Sequence, residues 1–241
     1  MKIIITKDSD AAAEKAAQAI AKQIKKKPDS VLGLATGNTP LGLYERLVCL
    51  YKDKKINFSQ VKTFNLDEYI GLGKKDKTGY AYYMNTNLFN HINIKKNNIS
   101  LLDGKVKNIE KEAINYENKI KKSNGIDLQI LGIGHNGHIG FNEPGTNKDS
   151  RTRIVKLTNN TRKFNQTNFG SLTKTPKAAI TMGIGTILEA KKIILLATGQ
   201  DKAEIVKKLI KGKITNRLPA SYLKEHKDMI LILDKQTAEK I

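Results

Sequence analysis

Cysteine is nearly absent: the 241-residue chain contains one, Cys49. A lone thiol excludes an internal disulfide framework and points to a reducing cytoplasm. Its setting in LYERLVCLYKD, between Val48 and Leu50, predicts a packed thiol rather than a nucleophile. Long apolar runs are also missing. The opening MKIIITKDSD offers only three isoleucines before Thr6, too few for a signal-peptide core, and no later run is long enough to span a bilayer. No Gly/Ser-rich or Pro-rich linker interrupts the chain, so a single domain over residues 1–241 is expected. Three chemical signatures are missing as well: a G-x-x-x-x-G-K-[ST] loop for a nucleoside triphosphate, a helical H-E-x-x-H for zinc, and a nucleophile elbow for acyl transfer.

Arginine is scarce in a chain that is otherwise strongly basic. The formal charge is +20, yet only Arg46, Arg151, Arg153, Arg162 and Arg217 contribute guanidinium groups. Bidentate readers of bases and phosphates lean on arginine, and the lysines here are scattered among asparagines, as in INIKKNNISLLDGKVKNIEKE. Lysine on solvated faces gives salt-sensitive attraction to polyanions, with no specific nucleic-acid or membrane partner.

What is present is a regular alternation. The runs KIIIT, SVLGLAT, VKTFNL, DLQILGI, AAITMGI, KIILLAT and MILIL read as strands, and DAAAEKAAQAIAKQIKKK, LGLYERLVCLYKDK, AYYMNTNLFNHI, IEKEAINYENKIKK and DKAEIVKKLIKGK carry apolar residues at helical spacing. This predicts an α/β fold: a doubly wound, mainly parallel sheet with helices on both faces and Rossmann-like topology. Ligands of such sheets sit at the carboxyl ends of the strands, so the loops there are where chemistry is expected.

One of those loops, GIGHNGHIGFNEPGT, contains a literal G-x-G-x-x-G. A dinucleotide fingerprint needs the third glycine to open a long helix, and Gly140, Pro144 and Gly145 oppose one. The polar members therefore need another role. His138 and Glu143 on one loop can pass protons between a ring oxygen and an anomeric hydroxyl, with Asn136 as donor and acceptor beside them. The rival, a metal site from His135, His138 and Glu143, lacks helical spacing and a further obvious ligand. His91 and His226 look structural.

Two more loops complete the picture. In LATGNTPLGLYERL, Gly37 permits a tight turn, Asn38 or Thr39 can cap, and Pro40 suits a first helical turn, which makes Thr36–Thr39 an anion cradle. LATGQ repeats the pattern at residues 196–200, whether by chance or by shared purpose, and Lys202 just after it can add a cation. In FNLDEYIGL, Asp67 and Glu68 cannot both point the same way from an extended chain, so one enters the cleft and the other faces away. Desolvation there would raise the acid's pKa toward that of a working general base. Phosphate cradle, carboxylate base and His/Glu proton shuttle together describe aldose–ketose chemistry on a phosphorylated sugar.

On LGLATGNTPLGLYERL, TFNLDEYIGL, GIGHNGHIGFNEPGT, SRTRI, ITMGIGTIL and TGQDKA, in that order, the sequence resembles the glucosamine-6-phosphate deaminase family over nearly its whole length. The resemblance implies conversion of glucosamine 6-phosphate to fructose 6-phosphate and ammonia, with no organic cofactor and no metal, by a monomer or a homo-oligomer. It implies Asp67 as the base moving a proton from C2 to C1, His138 as the ring-opening acid and base, and Glu143 as its partner. Asn136 falls where many members carry an aspartate, which predicts a different histidine basicity. It also implies phosphate contacts from Thr36–Thr39 and Lys202. Thr167 replaces the arginine that many members carry in an N-x-R-F segment, so either Arg162 compensates or the phosphate is held more weakly. Regulated members use basic residues around R-T-R-I-K and a longer carboxyl-terminal tail; here Ile154-Val155 follow Arg153, so no activation by N-acetylglucosamine 6-phosphate is expected. The polar stretch Lys148–Thr175 reads as a helical, mobile lid. The rivals are a 6-phosphogluconolactonase, which lacks the GFNEP continuation, and a non-catalytic sugar-phosphate sensor.

Overall fold

Apolar runs short enough for strands alternate with amphipathic stretches from the first residue of the chain to the last, and the computed structural model, which describes residues 1–241, turns each into an element. The first half runs β1 (Lys2–Thr6), α1 (Ser9–Lys26), β2 (Val31–Leu34), α2 (Leu41–Lys52), β3 (Lys62–Asn65), β4 (Asp67–Tyr69), α3 (Tyr80–Asn87), β5 (Ile99–Ser100) and α4 (Ile109–Lys122). The second half runs β6 (Leu128–Leu131), β7 (Arg153–Lys156), α5 (Asn159–Asn165), β8 (Ala178–Thr181), α6 (Ile184–Leu188), β9 (Ile193–Ala197), α7 (Ala203–Lys211) and β10 (Met229–Asp234).

Seven strands form one sheet in the order β1-β10-β9-β6-β2-β3-β5, and every pairing in it is parallel. Parallel strands covered on both faces need apolar side chains on both, and β2, β6 and β9 are buried at every position. One face packs against α1 and α2 through Ala12, Ala16, Ile20, Leu43, Tyr44 and Leu47, and the other against α4 and α7 through Ala113, Tyr116, Ile120, Val206 and Leu209. Helix α1 starts where the Asp8 carboxylate accepts from Ala11 N at 2.8 Å, an N-cap that holds an alanine-rich face against the sheet.

A second sheet, β4-β8-β7, is antiparallel throughout. The run AAITMGI, expected as a strand of the parallel series, lies here instead, with Thr181 opposite both Asp67 and Arg153. Leu66 is the junction between the sheets. Its N–H donates to Leu34 O at 3.1 Å on β2, while its carbonyl accepts from Met182 N at 2.7 Å, just beyond β8.

Three local expectations change. Cys49 is exposed, not packed. The buried face of α2 is Leu43, Tyr44 and Leu47, and two residues past Leu47 a helix has turned by about 200°, toward solvent. The stretch 148–175 is not mainly helical: it includes β7, paired with β8, the seven-residue α5 and a short 3-10 helix at Gln166–Asn168, with turns around them. Neither Asn38 nor Thr39 caps α2, whose cap residue is Pro40 with no side-chain hydrogen bond.

Candidate active site

A cavity of about 1010 Å³ opens at the carboxyl ends of β2, β3, β6 and β9, where a parallel sheet of this kind is expected to bind ligand. Thr36–Thr39, Asp67, the Gly132–Asn136 loop with His138, and Thr198, Asp201 and Lys202 all line it. Glu143 stands behind Asn136 rather than in the cavity wall.

Asp67 is the residue at which the chain leaves the large sheet for the small one. It is 6% exposed, and a side chain at Gly140 would press its Oδ2 at 3.3 Å. Burial, and then the neighbouring Glu68 charge, push its carboxyl up to about 8. Glu68 points the other way, as alternation along a strand requires, and accepts from the backbone N–H groups of Tyr69, Tyr80 and Ala81 at 2.9, 3.0 and 2.9 Å. It thereby supplies acceptors at the start of α3, although burial outweighs those bonds and raises its carboxyl to about 7.

Facing Asp67 is a chain of three side chains. Asn136 Nδ2 donates to Glu143 Oε2 at 2.6 Å, and Asn136 Oδ1 lies 2.7 Å from His138 Nδ1. An ionised carboxylate only accepts, so the amide must turn its NH₂ to Glu143 and its oxygen to the ring, which places the imidazole proton on Nδ1. The other carboxylate oxygen, Oε1, accepts from Thr158 Oγ1 at 3.1 Å and from the Thr161 hydroxyl. Burial lowers the His138 pKa; Glu143 opposes this, and Lys202 and His135 add to it. The lowered pKa favours the neutral imidazole, in which Nε2 carries no proton. Its ring lies against Gly134, where a Cβ would come within 2.2 Å of it.

At the other end the two members of the near-repeat share one feature and then diverge. Gly37 and Gly199 have φ of 101° and 95°, values that favour glycine, and Thr36 and Thr198 both line the cavity, but a 3-10 turn follows Gly199 directly while α2 starts only at Leu41. The Tyr83 hydroxyl donates to Gly37 O at 2.6 Å and the Tyr44 hydroxyl to Ala35 O, which hold the first turn in place. Lys202 keeps 10% of its side-chain exposure, and burial lowers its pKa against the pull of Asp201. The uncapped start of α2 lies beside the turn, and Gly42 from its first residues also lines the cavity.

The sequence missed several contributors. Thr158 and Thr161 hold Glu143; a Thr at the N-cap of α5 with a second Thr three residues on was the available signal. Phe164 of α5, 58% exposed, places its ring 4.9 Å from that of His135 and 5.6 Å from Lys202 Nζ. Nothing in the local pattern announces that contact. Arg162, one of the two alternatives raised by the missing arginine, donates to the carbonyls of Pro176, Leu172 and Thr175 at 3.2, 2.7 and 3.0 Å. Three carbonyls turned inward by the loop after α5 capture the guanidinium. Thr167 does not line the cavity either. His135 pairs with Asp201 Oδ2 at 3.4 Å while His138 pairs with Asn136, so the two histidines do not converge, and no group of three or more His, Cys, Asp or Glu is placed to hold a metal ion. His91 and His226 each meet a backbone carbonyl at 2.7 Å, outside the cavity.

A buried carboxylate opposite a neutral imidazole of fixed tautomer, at one end of a cavity whose other end presents glycine turns and a desolvated ammonium, can move protons on a small polyol bearing an anion. That defines an α/β sugar-phosphate enzyme. The family described as glucosamine-6-phosphate isomerases/6-phosphogluconolactonase matches residues 7–232. A glucosamine-6-phosphate deaminase of Clostridium botulinum (strain Langeland) is 52% identical over 241 residues, covering 100% of this chain and 99% of the relative. The solved structure of a monomeric glucosamine-6-phosphate deaminase superposes with a TM-score of 0.98 at 43% identity, covering 100% of both chains. The 6-phosphogluconolactonase of Thermotoga maritima, at 23% identity and a TM-score of 0.77 over 97% of this chain and 99% of its own, shares the fold. The chain belongs to the glucosamine-6-phosphate isomerase/6-phosphogluconolactonase family.

Proposed function

We propose that the chain is a glucosamine-6-phosphate deaminase, converting glucosamine 6-phosphate and water to fructose 6-phosphate and ammonia. The observation that carries the reading is the pairing of Asp67, unbonded and raised to about 8, with a His138 whose free Nε2 faces the same space. The phosphate enters the Thr36–Thr39 turn beside Lys202. His138 Nε2 takes the anomeric hydroxyl proton and returns one to the ring oxygen, opening the sugar. Asn136 and Glu143 orient the ring while it does so. Asp67 then removes the C2 proton while the C1 oxygen takes one from the substrate's C2 ammonium, leaving an enolamine, and delivers the C2 proton to C1. The resulting C2 iminium adds water and releases ammonia, so one water is consumed for each ammonia formed.

A group that abstracts a carbon-bound proton needs a pKa near the working pH, and burial of Asp67 supplies that. Residues 1–241 act as a single domain, with the segment around α5 as a lid over the cavity. The exposed, unpaired Cys49 fits a reducing cytoplasm. The test is release of ammonia and fructose 6-phosphate from glucosamine 6-phosphate by purified protein, with Asp67→Asn and a chelator alongside and 6-phosphogluconolactone as a second substrate. Turnover of the amino sugar that needs Asp67 and survives the chelator supports the reading. Lactone hydrolysis without ammonia release sinks it.

A further inference from the structure

The cavity presents a desolvated cation with little to balance it. Lys202 has one carboxylate near it, Asp201 at 3.7 Å, and that carboxylate is 57% exposed. An ammonium is a point charge on one side of its ligand, whereas a phosphate dianion carries charge over several oxygens and is held best from more than one direction. Beside Lys202 the cavity is walled by α5. Its Phe164 ring already lies 5.6 Å from Lys202 Nζ, and the residue before it, Lys163, lines the same cavity. Lys163 is exposed and has neither an ion-pair partner nor a hydrogen bond from its ammonium within the protein. Its neighbour Arg162 is committed to three backbone carbonyls, and Thr167 is outside the cavity wall.

We infer that Lys163 supplies the second cation to the substrate phosphate, reaching from α5 toward the group that Lys202 also holds. The assignment rests on the proposed function for the identity of the anion. It gives α5 a second task beside holding Glu143 through Thr158 and Thr161, since a bound dianion neutralises both lysines and ties the segment to the cavity.

Lys163→Ala and Lys163→Arg test it, because an exposed, unbonded lysine is replaceable without loss of folding. Two quantities are measured on the full chain: kcat and KM for glucosamine 6-phosphate, and the calorimetric affinity for inorganic phosphate. Removing one solvent-accessible charge-assisted hydrogen bond predicts about a tenfold rise in KM and a parallel fall in phosphate affinity in the alanine variant, with kcat within about twofold. The arginine variant restores both, and the difference shrinks as salt rises. Unchanged KM and phosphate affinity in Lys163→Ala overturn the inference, as does a weakening that arginine fails to restore. If the wild type binds phosphate through Lys163 yet releases no ammonia, the proposed function fails and this assignment stands. If turnover is intact and Lys163→Ala binds phosphate normally, this assignment alone fails.

Discussion

The two ends of the cavity hold their polar groups in opposite ways. Around His138 nearly everything is partnered and enclosed: Glu143 is 8% exposed and accepts from Asn136, Thr158 and Thr161. Around Lys202 the donors are left free, with an uncapped helix start, two glycine turns, and a lysine on α5 whose ammonium bonds nothing. Pre-arranged groups that need no reorganisation lower a barrier, whereas unsatisfied donors gain only when an anion arrives and so set affinity. Changes at the first end should therefore appear in kcat and changes at the second in KM.

The largest break of this contrast is Asp67→Asn. Loss of a general base is worth about 10²–10⁴ in rate, with KM for glucosamine 6-phosphate little moved, as steady-state assays would reveal. The wild-type kcat/KM should climb with pH through about 8, where half of the Asp67 carboxyl is ionised, and level off above it. Stability runs the other way. The folded Asp67 keeps a proton that the unfolded chain releases near its ordinary carboxylate value, so this group's contribution to stability falls as pH rises from about 4 to about 8. The Asn variant escapes that loss, and thermal melts should show a gain that is absent near pH 4 and grows to several degrees by pH 8.

Next in size is Glu143→Gln, which frees Asn136 to turn its amide either way and so releases His138 from one tautomer. A fall in kcat of about 10²-fold is expected, with calorimetric phosphate affinity unchanged. An equal fall in phosphate affinity would erase the distinction between the two ends. Lys202→Ala sharpens it from the other side: KM rises by about tenfold or more while kcat changes less, because the ammonium holds the phosphate equally in the ground state and the transition state. The smallest expected effect is none at all. Arg153 is spent on Asn142 Oδ1 at 3.0 Å and Arg151 O at 3.2 Å, and Val155 offers no cation beside it, so initial rates should stay hyperbolic and indifferent to N-acetylglucosamine 6-phosphate.

The same division marks what was legible in the sequence. All seven strand runs and five helical runs appear, because periodicity is a local property, and Lys2–Thr6 and Ile109–Lys122 match to the residue. The small sheet was hidden: β4 is three residues long and β7 alternates half-buried with exposed positions, so neither leaves a pattern that outweighs its neighbours. Asp67, Asn136, His138, Lys202 and the glycine turn stood out because their residue types are costly to place without purpose. Thr158, Thr161, Phe164 and Lys163 did not, since ordinary surface residues acquire meaning only when folding brings α5 over the cavity. The role of Arg162 stayed open because a guanidinium satisfied by backbone carbonyls is indistinguishable, in sequence, from one awaiting a ligand.

Leu66 does more than join two sheets. Its N–H belongs to one and its carbonyl to the other, and the next two residues are the two carboxylates. Side chains along a strand alternate, so a slip of a single residue on either side of this junction would send Glu68 into the cavity and Asp67 to the start of α3. The fold thus keeps a reading frame of its own, and Leu66 is the mark from which it is counted.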